Sequence, residues 1–222
     1  MYRALLFSMA VVYGNFTFAT QPLDVLAPGY TLDGKSAADL AAEWWQWAFS
    51  SREEINPVRD TSGVHCSVGQ QGNVWFLAGG FGSSKISRRC VIPSKKHVFF
   101  PVINMAYWPR EENNGYTCEQ AKISAAVNNN NALNLFVEID GVPVKDVKRF
   151  RARTEKCFDI YEKVEKSLHP YRAYPSASDG YWVLLRPLPI GKHTIKFGGG
   201  YNNPGDPYGH MVQDIEYEVT VK

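Results

Sequence analysis

Short apolar segments separated by glycine and proline turns run along this chain, and they restrict its fold more than any other feature. The clearest segment is 215–221 (IEYEVTV), where Ile215, Tyr217 and Val219 alternate with polar residues at the period of a half-buried β-strand. Similar segments occupy residues 74–78, 97–103, 133–139, 181–185 and 193–197. Because helices do not alternate with these segments, the pattern predicts a mainly β protein, an antiparallel β-sandwich of the immunoglobulin-like or jelly-roll type.

Several turn-forming residues refine this prediction. Pro101 lies inside segment 97–103 and therefore favours either an edge strand or a β-bulge there. Asp140 and Asp179 each precede a glycine, so a turn is expected at both positions. Residues 82–84 (GSS) are typical of a flexible hairpin tip.

A tryptophan-rich segment predicts one N-terminal helix over about residues 36–50. Ser36 has an acid three residues later, as in an N-terminal cap, and Leu40, Trp44 and Trp47 fall on one helical face. Tryptophans bury large areas, so this face is expected to cap the core, with a ligand groove as the alternative. One or two short helical insertions are predicted further along, a helix at 118–127 and a helix or long loop at 154–168. Residues 201–209 are predicted to form a loop.

The first 19 residues have the pattern of a secretory signal peptide. Arg3 precedes an apolar run at 4–12 that is too short to span a bilayer, and small residues lead to a cleavage site after Ala19. A buried N-terminal strand or helix is the alternative. We expect an exported protein, periplasmic or secreted, whose mature part 20–222 forms a single domain without a transmembrane segment.

Four cysteines, Cys66, Cys90, Cys118 and Cys157, agree with export, because an even number of cysteines in an exported protein indicates disulfides. Three pairings are possible. We favour Cys66–Cys90 with Cys118–Cys157, because sequential pairing closes the shortest loops. No two cysteines are near neighbours in the sequence, which argues against a zinc site.

Charge and motif content exclude several classes of function. The net charge of +2 lacks the basic excess of a dedicated nucleic-acid-binding protein. The chain has no G-x-S-x-G elbow and no H-E-x-x-H pair, so no catalytic residue, metal or cofactor is predicted. An exported hydrolase with a site built from distant acids and histidines remains an alternative to a non-enzymatic role, and a structural or protein-interaction role is another.

Aromatic residues in predicted loops indicate the leading function. Trp108 follows one strand, while Tyr171 and Tyr174 precede another. Flat aromatic rings can cover the apolar face of a pyranose, with neighbouring polar groups bonding its hydroxyls. The sequence therefore predicts a non-catalytic module that binds a glycan or another cell-envelope component through Trp108, Tyr171 and Tyr174, with ordinary loop packing as the alternative.

One basic stretch, residues 145–153 (KDVKRFRAR), has two interpretations. If extended, Arg149, Arg151 and Arg153 would share one face and could bind an anionic polymer. We favour a solvated edge strand, in which basic residues prevent edge-to-edge aggregation.

Several motifs are shared with known sequences. These are WWQWA at 44–48, VWFLAG at 74–79, FFP at 99–101 with Asn104, DGVPV at 140–144, and DGYW at 179–182 followed by PLP and GKHTI. Together they resemble a group of exported bacterial proteins without an assigned activity. The resemblance implies a bacterial, exported, single-domain protein and supplies no catalytic residue. Residues 191–197 (GKHTIKF) are also similar to strands of immunoglobulin-like modules in surface proteins, which implies that type of fold.

Overall fold

A computed structural model describes residues 24–109, 115–205 and 209–222. The predicted signal peptide, residues 1–19, lies outside the described residues. Within these ranges the chain is mainly β. The strands are β1 (Val74–Phe76), β2 (Ser84–Ile92), β3 (His97–Tyr107), β4 (Ala132–Ile139), β5 (Val142–Pro143), β6 (Arg151–Arg153), β7 (Ala177–Leu185), β8 (Gly191–Asn202) and β9 (His210–Val221). The helices are α1 (Ala37–Phe49) and α2 (Cys118–Ala126), with short 3-10 helices at Glu53–Ile55, Asn129–Asn131, Val147–Phe150 and Lys166–Leu168.

The strands form two mixed sheets, so the predicted antiparallel pairing is confirmed for most strand pairs and fails for two. One sheet has the order β1-β3-β7-β6, and the other has the order β2-β9-β8-β4-β5. β1 pairs with β3 in parallel, and β2 pairs with β9 in parallel. A parallel pair needs a crossover connection. Between β1 and β3 the chain crosses to the other sheet to form β2, and it therefore returns to β3 in the same direction.

A core shared by both sheets explains the alternation seen in the sequence. In β9 the inward residues Ile215, Tyr217 and Val219 are buried, as predicted. Phe100 of β3 meets Phe197 of β8 with ring centroids 4.6 Å apart, so a residue of each sheet packs directly on the other. Burial of this apolar area removes it from water and supplies the main driving force for folding.

The opposite face of the four-stranded sheet packs against α1. Ser36 caps the helix, accepting a hydrogen bond from the Asp39 amide while the Asp39 carboxylate accepts one from the Ser36 amide. The tryptophans of α1 are buried, and Trp44 contacts Trp182 of β7 with centroids 5.6 Å apart. Each indole N–H donates a hydrogen bond: Trp44 to the Leu77 carbonyl (2.9 Å), Trp45 to Ser178 Oγ (2.9 Å) and Trp47 to the Val68 carbonyl (2.8 Å). The tryptophan face belongs to a second core.

Pro101 lies in β3, which is an interior strand between β1 and β7. The register between β3 and β7 shifts between Pro101 and Ile103. A bulge frees one position from the hydrogen-bond ladder, so it accommodates a residue without an N–H group. The predicted bulge is confirmed and the predicted edge strand is wrong.

Two strand-forming regions differ from the sequence expectation. β2 was not predicted, because its sequence SKISRRCVI carries charged residues and its inward position 88 is an arginine. Asp179 is not in a turn: it lies inside β7 and is buried. The turn expected at Asp140 is confirmed, with φ of 49° at Asp140 and 78° at Gly141.

The basic stretch divides between two elements. Arg149 belongs to the 3-10 helix Val147–Phe150, while Arg151 and Arg153 lie in β6, an edge strand. Both β6 arginines bind the buried Asp179 carboxylate: Arg151 Nε lies 2.9 Å from Oδ1, and Arg153 Nε lies 2.7 Å from Oδ2. These two charges therefore hold the edge strand to β7.

Disulfides join Cys66 to Cys90 and Cys118 to Cys157, the sequential pairing that the sequence favours. The first bridge connects the loop after α1 to β2, and the second connects α2 to the segment after β6. The segment 154–168 is a loop that ends in the 3-10 helix Lys166–Leu168. Among the helices of the described ranges, none is long and apolar enough to cross a membrane.

Candidate functional site

Two of the three predicted ligand-binding residues lie side by side. Trp108 directly follows the last residue of β3, and Tyr171 lies in the loop after the 3-10 helix Lys166–Leu168. The indole N–H of Trp108 donates to the Tyr171 hydroxyl at 3.0 Å. Both side chains are half-buried, so each presents part of its ring to solvent.

Two phenylalanines extend this pair into a strip of rings. Phe49, the last residue of α1, lies 5.5 Å from Trp108 and 6.4 Å from Phe81 between ring centroids. Phe81 is 48% exposed and lies in the turn before β2. We call Phe81, Phe49, Trp108 and Tyr171 the aromatic strip.

The strip is supported from below by buried rings. Tyr161 lies 5.8 Å from Phe49 and 5.9 Å from Tyr171, and Trp45 of α1 stacks on Phe49 at 6.1 Å. Such aromatic pairs each contribute about 0.5–1.5 kcal/mol beyond their buried area. These contacts fix the orientation of the exposed ring faces, which reduces the entropy cost of binding.

A charged group flanks the exposed end of the strip. The Arg59 guanidinium lies 5.5 Å from the Phe81 ring centroid and also binds Glu53, with Nη1 2.9 Å from Oε1. The guanidinium and carboxylate supply a donor and an acceptor beside the apolar ring faces. This arrangement can hold a ligand that has both a flat apolar face and hydroxyl groups.

Tyr174, the third predicted residue, occupies a different setting. It is exposed and immediately precedes the cis Tyr174–Pro175 peptide bond, whereas Trp108 and Tyr171 pack against the α1 core. The sequence prediction also missed Phe49 and Phe81. Phe81 stands between two glycines, a local signal for an exposed aromatic at a turn, but no local pattern connects it to Trp108.

A polar cleft of about 730 Å³ lies between α1 and the segment that precedes β1. Its three carboxylates already have partners. These are Asp33 with the Asn73 amide (3.2 Å), Glu43 with Lys35 Nζ (2.6 Å) and Glu162 with the Gln46 amide (2.6 Å). Over the described ranges, no three histidine, cysteine, aspartate or glutamate side chains form a group that could hold a metal ion.

Comparison with known proteins supplies no family. No protein family matches the sequence, and no curated protein matches it. A cysteine protease inhibitor from Entamoeba histolytica, known from a crystal structure, aligns with 67% of this chain and 96% of its own length at 14% identity. The TM-score of that alignment is 0.26, so the similarity carries no argument about fold or function.

Proposed function

We propose that this protein is an exported, non-catalytic binding module whose aromatic strip recognises a glycan or another component of the cell envelope. The observation that supports the proposal most directly is the Trp108–Tyr171 hydrogen bond at 3.0 Å, because it joins two residues that are 63 positions apart into one aromatic surface. A pyranose ring presents a flat C–H face that such rings can cover, and Arg59 lies within reach of its hydroxyls.

The proposed architecture is an immunoglobulin-like β-sandwich. The core shared by both sheets, with Phe100 against Phe197, supports a face-to-face arrangement. Loops at the ends of such sandwiches carry binding residues while the sheets hold them in place. The two disulfides support export, since disulfides persist in oxidising compartments.

The test is a glycan array and an insoluble-polysaccharide pull-down with the oxidised protein, beside Phe81→Ala and Trp108→Ala variants. We expect saturable binding that weakens about tenfold in Phe81→Ala, because an exposed stacking ring contributes on the order of 1.4 kcal/mol. Phe136→Ala is the matched control, since Phe136 is 38% exposed but lies in β4 of the other sheet. Tyr174→Ala tests the third predicted residue.

Thermal melting of each variant separates a lost ligand contact from a lost fold. Trp108 is half-buried and its removal lowers stability, whereas Phe81 is half-exposed and its removal leaves the fold intact. The proposal fails if the folded protein binds no glycan and no envelope extract, or if Phe136→Ala weakens binding as much as Phe81→Ala does.

A further inference from the structure

The polar cleft beside α1 has a base of three buried side chains. They are Leu40 and Gln46 of α1 and Phe76 of β1, and each of them lines the cleft. Gln46 is the polar member of this base and is only 7% exposed. The cleft volume of about 730 Å³ is that of a small-ligand site, which is commonly about 300–1,000 Å³.

The carboxamide of Gln46 is held in one orientation by its nitrogen. Nε2 donates to the Asp159 carbonyl (3.1 Å) and to Glu162 Oε2 (2.6 Å), so both amide hydrogens are used and the nitrogen must face these two acceptors. Oε1 accepts no hydrogen bond from the described residues, and it is not sealed inside the protein as Gln213 Oε1 is. A side chain that is otherwise buried therefore opens one acceptor oxygen to the cleft, where a ligand can bind it.

Hydrogen bonds also hold the two polar walls of the cleft in place. In the wall that precedes β1, the Gln70 side chain donates to the carbonyls of Cys66 (3.0 Å) and Phe76 (2.8 Å) and accepts from the Phe76 amide (2.9 Å). In the opposite wall, the Glu162 amide donates to the Asp159 carbonyl at 3.2 Å. Walls that are fixed before binding reduce the entropy cost when a ligand enters.

Each carboxylate of the cleft has a single partner among the described residues. Glu162 and Asp33 each accept from a neutral amide, and Glu43 pairs with Lys35. A carboxylate offers about four acceptor positions, so most positions on these three groups stay available to a ligand. Hydroxyl groups that donate to such oxygens form strong, charge-assisted hydrogen bonds.

The balance of charges favours a neutral ligand. The lining residues include these three carboxylates and two lysines, Lys35 and Lys163. An anion would meet the carboxylates, and a cation would meet the lysines. A neutral molecule with several hydroxyl groups can donate to the carboxylates and accept from the lysines, while its C–H groups lie on Leu40 and Phe76.

We propose that the polar cleft binds a neutral saccharide of one or two sugar residues, with Gln46 Oε1 and the carboxylates of Glu162 and Asp33 as its main hydrogen-bond acceptors. This inference rests on the proposed function only for the class of ligand. It adds a second site, which shares no residue with the aromatic strip. Because the cleft is closed at its base, it admits a free sugar or the end of a saccharide chain.

The test is an NMR titration of the isotope-labelled, oxidised protein with D-glucose, D-galactose, N-acetyl-D-glucosamine and maltose in separate arms. The amide resonances of Gly69 and Gly72, which line the cleft, are expected to shift and saturate in at least one arm. Gly141 is the internal control, because it is also an exposed glycine with positive φ but lies between β4 and β5. Putrescine and sodium sulfate form two ionic arms. Saturation by either ion without saturation by a sugar would show an ion site and overturn the proposal.

Variants then test the named acceptors. Glu162→Gln is expected to weaken saccharide binding about tenfold, because a charge-assisted hydrogen bond is lost while the contact with Gln46 can be kept. Asp33→Asn tests the opposite wall in the same way. Glu165→Gln is the matched control, since Glu165 is an exposed acid of the same loop that does not line the cleft. Thermal melting confirms that each variant is folded.

Phe81→Ala separates the cleft from the aromatic strip, and it should leave the sugar response of Gly69 and Gly72 unchanged. The cleft proposal is overturned if no sugar gives a saturable shift at these glycines, if Gly141 shifts equally, or if Glu165→Gln weakens binding as much as Glu162→Gln. Polysaccharide binding that depends on Phe81, with no response at the two glycines, would reject the cleft and leave the proposed function standing. A saturable response at the glycines without any polysaccharide binding would reject the strip alone.

Discussion

Arg88 of β2 is a charged residue whose side chain is buried against the loop after α1. Its guanidinium donates, within the described ranges, to four neutral acceptors: the carbonyls of Asp60 (2.6 Å), Ala78 (2.9 Å) and Val58 (3.2 Å), and the Tyr217 hydroxyl (3.1 Å). The fork of a guanidinium reaches all four at once, which a point-like ammonium cannot do. Arg88 therefore ties the paired strands β2 and β9 to two loop segments, which contain Val58 with Asp60 and Ala78.

We expect Arg88→Lys to lower the free energy of unfolding by about 3 kcal/mol, because several charged hydrogen bonds are lost inside the protein. Urea unfolding followed by tryptophan fluorescence measures the loss. Arg89→Lys is the adjacent control: Arg89 is exposed and pairs with Glu218, so its change should stay within about 0.5 kcal/mol. Equal losses in both variants would contradict the structural role of Arg88.

Asp60 organises the loop that Arg88 binds. Burial by itself would raise the pKa of the Asp60 carboxyl, but the His65 amide and the Ser62 hydroxyl and amide donate to it and hold its pKa below the ordinary value. A carboxyl with a lowered pKa in the folded state stabilises the protein above its unfolded pKa, about 3.9. That contribution is lost as the pH falls through the lower, folded pKa.

The Asp60→Asn variant should therefore be less stable than the parent protein at pH 7, and the difference should shrink below about pH 4. Unfolding by urea at several pH values measures it. Asp214→Asn is the control, because Asp214 is half-exposed and lies 3.6 Å from Lys85 on the surface. A stability difference for Asp60→Asn that stays constant down to pH 2 would show that the carboxylate charge is not responsible.

At the scale of elements, ion pairs stabilise the three-residue strand β6 more than its few backbone hydrogen bonds do. It lies at the sheet edge and pairs with β7 through Arg151, Ala152 and Arg153. Arg151 binds Asp179 through both Nε (2.9 Å) and Nη2 (3.0 Å), and Asn130 accepts from Nη2 at 2.7 Å. Two arginines of β6 therefore bind one buried carboxylate of β7. These ion pairs hold an edge strand that is too short to be stable through its backbone hydrogen bonds alone.

Arg151→Met is expected to cost about 3 kcal/mol, because it leaves the buried Asp179 with only part of its compensation. Arg153→Met should cost less, about 1 kcal/mol, since the Arg153 side chain is 57% exposed against 22% for Arg151. Chemical denaturation of the two variants gives the comparison. The reverse order of losses would show that the bidentate contact is not the stronger one.

At the scale of the molecule, the disulfides connect parts of the chain that the sheets leave separate. The Cys66–Cys90 bridge closes a loop across 24 positions, and the Cys118–Cys157 bridge closes one across 39. Replacing either pair by serine should lower the free energy of unfolding by about 3–4 kcal/mol, because the unfolded chain regains its freedom. Thermal melting with and without reductant measures the same effect, and an unchanged melting temperature after full reduction would contradict it.

Prediction from the sequence succeeded where the signal is local. The alternation in β9, the short helix α2, the Asp140 turn and the bulge at Pro101 each depend on a few neighbouring residues and were predicted from them. Of the candidate site, the sequence indicated Trp108 and Tyr171, aromatic residues in predicted loops, and the structure brings these two together, while their binding role stays a prediction.

Tertiary contacts decided the rest. The parallel pairing of β2 with β9, the burial of Arg88 and Asp179, and the contacts of Phe49 with Phe81 and Trp108 all join residues far apart in the chain. A charged residue is predicted to be exposed when its partner is not known. For Asp179 the partner, Arg151, lies 28 positions away in the sequence. Periodicity and turn chemistry therefore determined most elements of this protein, with β2 as an exception, whereas strand order, buried charges and the aromatic strip depend on which distant segments pack together.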